Sequence, residues 1–249
     1  MHIRYRFALA EGGVKEFALT LDPASLSLTS PPREPLPGWT RLGNHQCSIC
    51  PLTEKEHPHC PIAANLAGVI EEFKDSISFH QAEISILTEA REYRKKAALQ
   101  DGISGLIGIV MVTSGCPILD KLRPMVRIHL PFPEISETMY RAISMYLTAQ
   151  FFVYKRGGRP DWDLKHLVDI YNAVSSVNAD FVRRLKTIEL QDASLNALVN
   201  LDCFAAITAM SILDHSLQEV EGLFSAYLPA DPQSVQRVEG LKDGSSKTI

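Results

Sequence analysis

The sequence lacks several features that would place it in a functional class at once. No apolar run reaches the length of about 18 residues that a membrane-spanning helix needs, since the longest extends only over residues 103–112. Glycine-rich phosphate loops, the Gly-x-Ser-x-Gly elbow of many hydrolases and the His-Glu-x-x-His motif of zinc proteases are also missing. These absences weaken the nucleotide-dependent and hydrolase interpretations without excluding them.

An excess of basic charge is missing as well. The 25 lysines and arginines face 29 aspartates and glutamates, which gives a net charge of −4, whereas a general nucleic-acid binder usually carries a basic stripe. Residues 1–6 show no charged region followed by an apolar one, so we expect no signal peptide. We therefore predict a cytoplasmic protein with no nucleic-acid partner and no membrane partner. A protein partner and the oligomeric state stay open.

The composition is typical of an ordinary globular protein. The chain has 249 residues, of which 45% are hydrophobic and 22% are charged. A chain of this length buries roughly three quarters of its unfolded surface when it folds. It therefore needs neither a disulfide nor a metal merely to hold a core together.

Alternating stretches in the first part of the chain predict an antiparallel sheet. Apolar and polar residues alternate over residues 3–7 and 15–21, and a glycine pair at 12–13 between them is typical of a β-hairpin turn. Residues 82–88 and 91–95 predict a second pair of strands.

Apolar residues at helical spacing dominate the remainder of the chain. We predict helices over residues 62–73, 102–112, 134–154 and 194–223, together with one that begins at Asp161 as its N-cap. The fold prediction is α+β, with a small N-terminal antiparallel sheet and one helix, followed by a larger helical part. The predicted parts are residues 1–96, residues 97–228 and a disordered tail over residues 229–249.

The cysteines form the most distinctive pattern. Cys47 and Cys50 make a Cys-x-x-Cys pair, Cys60 follows after nine intervening residues, and Cys116 stands between a glycine and a proline. Four thiolates complete the coordination of a zinc ion or a [4Fe–4S] cluster, and the two-residue spacer lets two sulfurs face one point. We therefore predict a metal-binding protein in which these four cysteines form a site that joins the two parts.

Other interpretations of the cysteines stay open. In one interpretation the cysteines are inert buried thiols. In another, Cys47 and Cys50 form a disulfide that acts as a redox switch. The choice of cofactor is also open, because an all-sulfur ligand set favours an iron–sulfur cluster whereas nearby histidines favour zinc. Cys203 differs from the others, since it lies in an apolar helical stretch and is predicted to be a core residue.

Basic and histidine side chains near the cysteines are candidates for a surrounding role. His45 and His59 lie within the cysteine-rich stretch, and Arg123, Arg127 and His129 follow the fourth cysteine closely. Such groups bind an anionic ligand or tune neighbouring thiolates. A surface loop with ordinary salt bridges explains them equally well.

Short motifs around these residues resemble those of a family of uncharacterised bacterial proteins. The resemblance covers roughly residues 1–210. It implies a bacterial, cytoplasmic protein and groups the four cysteines with the arginine and histidine motif that follows them. It implies no activity. The motifs that carry it are residues 39–42, 45–52, 57–61, 113–117, 122–125 and 129–132.

Three hypotheses of function follow from the sequence. The first is a metal-binding protein whose zinc or iron–sulfur site is structural or sensory. The second is a redox enzyme or electron carrier that uses an iron–sulfur centre. The third is a metal-free interaction module whose helical part binds another protein.

Overall fold

The computed structural model describes residues 1–214 and 217–228. It confirms the α+β prediction. A four-stranded antiparallel sheet has the order β2-β1-β3-β4, and its strands are β1 (His2–Leu9), β2 (Val14–Thr20), β3 (Gln81–Thr88) and β4 (Glu92–Ala98). The helices are α1 (Pro61–Phe73), α2 (Leu99–Thr113), α3 (Ile135–Lys155), α4 (Lys165–Leu185), α5 (Ala193–Leu213) and α6 (Gln218–Gly222), with 3-10 segments at Gly38–Thr40 and Leu119–Ile128.

The sheet buries one face and exposes the other, as its alternating sequence predicts. Along β1, Ile3, Tyr5 and Phe7 are fully buried. The intervening Arg4 is exposed, because successive side chains of a strand point to opposite faces. The phenyl rings of Phe7 and Phe73 meet edge to face with centroids 5.1 Å apart. Helices α1 and α2 therefore cover the apolar face of the sheet.

Glycines at every third position let α2 pack closely on both sides. A Cβ at Gly102 would lie 2.6 Å from a methyl group of Ile84 on β3. A Cβ at Gly108 would lie 3.3 Å from Leu201 on α5. Helix α2 is consequently enclosed between the sheet and α5, and one continuous apolar core extends from the strands to the helices.

The start of α4 differs from the prediction. The helix begins at Lys165 rather than just after Asp161, and it is preceded by Leu164 in the left-handed conformation (φ 62°). The Asp161 carboxylate still accepts a hydrogen bond from the backbone N–H of His166 at 2.8 Å. The capping interaction that the sequence suggested therefore exists, but it is made across a short loop.

Helix α5 is shorter than predicted and more exposed. It ends at Leu213, and the predicted tail over residues 229–249 lies outside the described residues. The prediction that Cys203 is a core residue is wrong, because its side chain is exposed. An apolar stretch with one charged residue, Asp202, gives no periodicity by which to tell the inner face from the outer face.

The composition of α5 has a second consequence. Among the described helices it is the one that is long and apolar enough to cross a membrane by length and composition, and about a third of its most apolar window is buried. The central helix of a protein core meets the same criteria, and α5 packs against α2 and α4.

Candidate functional site

A largely apolar cavity of about 300 Å³ lies between the helices. Its walls come from α2, the 3-10 segment Leu119–Ile128 and the loop that follows it, α3 and α5. The apolar lining includes Ile109, Val126, Leu130, Leu201 and Phe204. The cavity is therefore built by elements that are far apart in sequence.

Arg141 of α3 lines this cavity and is poorly paired. Its Nη2 donates to the carbonyl oxygen of Met125 at 3.2 Å, while its Nε is buried and has no hydrogen-bond partner in the described residues. Burial lowers the pKa of Arg141, and interactions with Tyr171 and Glu137 partly oppose this effect. A guanidinium stays protonated nevertheless and has five N–H donors to satisfy, so most of its donors here remain unused by the protein.

Thr138 lies one turn before Arg141 and shares its face of α3. It also lines the cavity, and its buried hydroxyl has no partner among the described residues. An unsatisfied buried polar atom costs about 1–3 kcal/mol of stability. Two adjacent polar groups in this condition at one wall indicate a place where a polar ligand atom would fit.

His129 supplies a neutral polar group at the same cavity. Its Nε2 lies 2.7 Å from Oη of Tyr5, which is fully buried in β1. Burial, reinforced by the positive charge of Arg141, lowers the pKa of His129 to about 4. Burial also raises the pKa of Tyr5 well above its ordinary value. Both side chains are therefore uncharged at neutral pH.

The remaining polar lining comes from the end of the sheet, from α2 and from Asn200 of α5. Lys95 lies over the ring of Phe132, with its Nζ 5.3 Å from the centroid, and both line the cavity. Partial burial raises the pKa of Asp101, whereas the charge of Lys95 lowers it. With Arg141, the cavity carries two permanent positive charges and one carboxylate.

The cysteine-rich stretch forms a separate structure, a loop over residues 40–60 whose two ends pair. The backbone N–H of Cys60 donates to the carbonyl of Thr40 at 2.8 Å. The hydroxyl of Thr40 lies 2.7 Å from Nδ1 of His59. This closed loop, named the cysteine loop below, contains Cys47 and Cys50 and ends where α1 begins.

Two buried residues of α4 hold the cysteine loop in place. Asp180 accepts hydrogen bonds from the backbone N–H and the hydroxyl of Ser48, at 2.9 and 3.2 Å. Arg184, which is 1% exposed, donates to four backbone carbonyls of the loop and the residue before it. These belong to Trp39 (3.0 Å), Arg41 (2.5 Å), Leu42 (3.0 Å) and His45 (3.3 Å).

The interpretation of the chain as a metal-binding protein is wrong. Over residues 1–214 and 217–228, no group of three or more histidine, cysteine, aspartate or glutamate side chains is arranged to hold a metal ion. The iron–sulfur redox enzyme fails on the same finding. Sequence spacing fixes how far apart two cysteines can lie but not where their side chains point. Hydrogen bonds of Arg184 and Asp180, and not a metal ion, connect the cysteine loop to helix α4.

Burial raises the pKa of two of the thiols, those of Cys47 and Cys116, and so keeps them protonated. All five cysteines are free. Burial is the largest cause that raises the pKa of Cys47 to about 12, the charges of Cys60, Cys116 and Cys50 add to it, and Arg184 opposes it. These thiols are thus close enough to influence one another electrostatically. A protonated thiol is neither a good nucleophile nor a good metal ligand.

The other predicted site residues disperse over the structure. Arg123 donates to the hydroxyl of Ser27 at 2.8 Å and pairs with Asp120 at the same distance. Arg127 and His45 are exposed. Among the basic and histidine candidates, only His129 lines the cavity. His59 is instead hydrogen-bonded to the hydroxyl of Thr40 in the cysteine loop.

Sequence reasoning missed the buried Arg184 and the half-buried Arg141, although each left a signal. Arg141 is the one charged residue between Glu137 and Lys155 in a long helical stretch, which marks it as a polar group inside an apolar surface. Arg184 falls in phase with Phe181 and Val177 on the core face of α4. A charge in phase with a core face must be paired or functional.

Comparison with known proteins supports a family but no activity. Residues 3–225 match the family model described as Domain of unknown function (DUF6901), so the chain belongs to that family. No curated protein and no solved structure shows a significant match to it. This match confirms the predicted resemblance to a family of uncharacterised proteins, as far as membership of a family of unknown function.

Proposed function

We propose that this family member binds a small, largely apolar molecule that carries a carboxylate, in the cavity lined by Arg141. The observation that carries the proposal is the buried Nε of Arg141, which has no partner within the described part of the chain. Guanidinium and carboxylate groups match in a planar, two-bond geometry. A bound carboxylate would satisfy donors that the protein leaves unused.

The size and lining of the cavity support the choice of a small apolar ligand. Binding sites for small molecules measure about 300–1,000 Å³, so a cavity of about 300 Å³ is at the small end of the range. Most of the lining side chains are apolar, which favours a hydrocarbon body over a sugar or a nucleotide.

The polar groups support an anionic rather than a cationic end. Arg141 and Lys95 outweigh the single carboxylate of Asp101. The neutral imidazole of His129 and the hydroxyl of Thr138 are able to donate or accept one hydrogen bond each at the same wall. A ligand ammonium group would meet the charge of Arg141 without compensation.

The location of the protein and its origin are proposals from the sequence. A bacterial cytoplasm agrees with five free cysteines, because disulfides are rare in reducing compartments. A protein partner of the helical part remains compatible with this placement.

The test is isothermal titration calorimetry of the full chain with straight-chain monocarboxylates from butanoate to octanoate. The primary alcohol of each chain length serves as the neutral match. The carboxylates should bind about tenfold more tightly than their alcohols, since a charged hydrogen bond is worth about 1.5–3 kcal/mol. The affinity should rise with chain length until the cavity is full.

The matched variants are Arg141→Met and Arg127→Met. Arg141→Met should abolish the preference for the carboxylate but retain weak binding of both series. Arg127 is exposed, so its replacement should change neither. Equal affinities of acids and alcohols for the wild-type chain, or an unchanged preference in Arg141→Met, would refute the proposal.

A further inference from the structure

The last turn of α3 projects from the body of the protein as an apolar tip. Residues 151–154, Phe-Phe-Val-Tyr, are all exposed. Successive helix residues are rotated by about 100°, so these four side chains, which are 37% to 61% exposed, leave every side of the last turn partly uncovered. Such a tip cannot be one face of a helix whose other face is packed.

The tip has a defined shape. The backbone N–H of Gly158 donates to the carbonyl of Val153 at 3.0 Å, and that of Gly157, at φ 78°, donates to the carbonyl of Tyr154 at 2.9 Å. This pair of bonds is the Schellman arrangement that ends a helix at a glycine. The chain then turns back beside α3.

A further aromatic ring lies at the same end of the helix. The backbone N–H of Asp161 donates to the side-chain oxygen of Gln150 at 2.9 Å, and the Asp161 carboxylate accepts from the hydroxyl of Tyr146 at 2.8 Å. These bonds hold the neighbouring Trp162 next to the last turn of α3, where its side chain is 55% exposed. Phe152 and Tyr154 are 55% and 61% exposed.

Basic residues directly follow the aromatic ones. Lys155, Arg156 and Arg159 are exposed, and none of them forms an ion pair with a described residue. The nearby Asp163 pairs with Lys165 at 3.1 Å. Residues 151–166 contain four basic and two acidic side chains, hence a charge of +2, against −4 for the whole chain. The tip is thus positive on a negative molecule.

We propose that this tip, formed by Phe151, Phe152, Tyr154 and Trp162 with the three basic residues 155, 156 and 159, binds the surface of an anionic phospholipid bilayer. Tryptophan and tyrosine are enriched where a membrane meets water, since one end of each ring is apolar and the other polar. Basic residues beside them are attracted to anionic headgroups. A contact of this kind needs no membrane-spanning run.

The exposure of the tip favours a bilayer over a protein groove or a second copy of the chain. A groove covers one stripe of a helix and leaves its other side to solvent. Here the apolar side chains point outward in every direction from the end of a helix, as entry into a headgroup layer requires. The unpaired basic charges complement an anionic surface and would repel the same tip of a second copy.

The experiment is co-sedimentation of the full chain with phosphatidylcholine vesicles, prepared with and without phosphatidylglycerol. We expect binding to the anionic vesicles, weaker binding as salt is added, and little binding to phosphatidylcholine alone. The double variants Phe151→Ser with Phe152→Ser, and Lys155→Glu with Arg156→Glu, should each reduce the partition coefficient at least about tenfold. The charge-preserving pair Lys155→Arg with Arg156→Lys should bind as the wild type does.

A matched control tests exposed apolar surface in general. Met210 and Leu213 of α5 are each 60% exposed, and Met210→Ser with Leu213→Ser should leave vesicle binding unchanged. The proposal fails if the wild-type chain does not bind anionic vesicles, or if this control loses binding as strongly as the tip variants do. A wild-type dimer that the tip variants dissociate would also overturn it. Carboxylate binding in the cavity should be unaffected by any tip variant.

Discussion

Oη of Tyr5, in a central strand of the sheet, lies 2.7 Å from Nε2 of His129 at the wall of the cavity. The two residues are 124 positions apart in sequence. The contact connects the loop after the 3-10 segment to a central strand of the sheet. It also takes His129 out of water, so the protonation of one side chain is linked to the stability of the fold.

The first prediction concerns acid stability. The pKa of His129 is about 4 in the folded chain and about 6.5 in an unfolded one, so the unfolded chain binds the extra proton between these values. The free energy of unfolding should therefore fall as the pH is lowered from about 6.5 to about 4. The loss from this one group is on the order of 3 kcal/mol.

His129→Gln isolates that contribution, because glutamine does not titrate and still offers an oxygen to the Tyr5 hydroxyl. Urea unfolding of both proteins at several pH values gives the comparison. The difference between their free energies of unfolding should shrink or reverse towards pH 4. The carboxylates titrate alike in both proteins, so their contributions cancel in this difference. Parallel pH profiles for the two proteins would show that His129 is not held neutral.

The second prediction tests the packing of α2 against that pair. A Cβ at Gly105 would lie 2.9 Å from Oη of Tyr5 but 3.8 Å from the ring carbons. Gly105→Ala should therefore destabilise the wild-type chain by about 1 kcal/mol, as overpacking outweighs the gain in helix propensity. In a Tyr5→Phe background the same substitution should stabilise by up to about 1 kcal/mol.

A double-mutant cycle from thermal or urea unfolding measures this change of sign. Gly12→Ala is no substitute as a control, since its φ of 98° strains any side chain. Gly68→Ala on α1 is suitable, because a Cβ there meets nothing within 4 Å. An additive cycle at Gly105 and Tyr5 would mean that the hydroxyl does not set the helix position.

The fold was largely predictable from the sequence because local patterns are repeated along each element. The alternation over β1 and β2 and the helical spacing of α1 identify these elements without reference to the remainder of the chain. The start of α4 was not predictable, since Leu164 adopts φ 62° and this depends on contacts made after folding. Exposed Cys203 shows the same limit for an apolar helix without periodicity.

The candidate site was much less predictable, because its geometry depends on which side chains the fold brings together. His129 was selected for its closeness in sequence to Cys116, and the structure places it at the wall of the cavity. Arg141, on which the proposed carboxylate site depends, lies outside all the motifs that were recognised in the sequence. Cys47 and Cys50 had the spacing of a metal site, yet the loop that carries them is held by Arg184.

The third prediction follows from that hold on the cysteine loop. Arg184→Met removes four hydrogen bonds to backbone carbonyls and should cost about 3 kcal/mol of unfolding free energy. Local opening should also expose Cys47 and Cys50, so that a maleimide labels them at least about tenfold faster. Mass spectrometry of the labelled peptides measures each site separately.

Two internal references sharpen this measurement. Cys203 is exposed in the folded protein, so its labelling rate should be the same in every variant. Arg127→Met removes an exposed arginine outside the cysteine loop, so it should leave the labelling of Cys47 and Cys50 unchanged and alter the unfolding free energy by less than about 0.5 kcal/mol. If Arg184→Met labels at the wild-type rate, the loop is held by something other than the arginine.

The fourth prediction contrasts the buried Arg184 with the half-buried Arg141. Arg184 is satisfied by carbonyl oxygens, whereas Arg141 has one carbonyl partner and an unpaired Nε. A buried charge without full pairing is a net cost, and an apolar side chain of similar volume commonly improves stability by about 1–4 kcal/mol. Arg141→Met should therefore raise the free energy of unfolding by about 1–2 kcal/mol, opposite in sign to Arg184→Met.

This increase in stability would separate a binding residue from a structural one. An arginine that destabilises the empty protein contributes nothing to holding the fold, and its unused donors are then available to a ligand. A carboxylate at a fixed concentration should raise the free energy of unfolding of the wild-type chain more than that of Arg141→Met, which binds it only weakly. A loss of stability in Arg141→Met would instead assign the guanidinium to the fold, and the cavity would lose its anion-binding group.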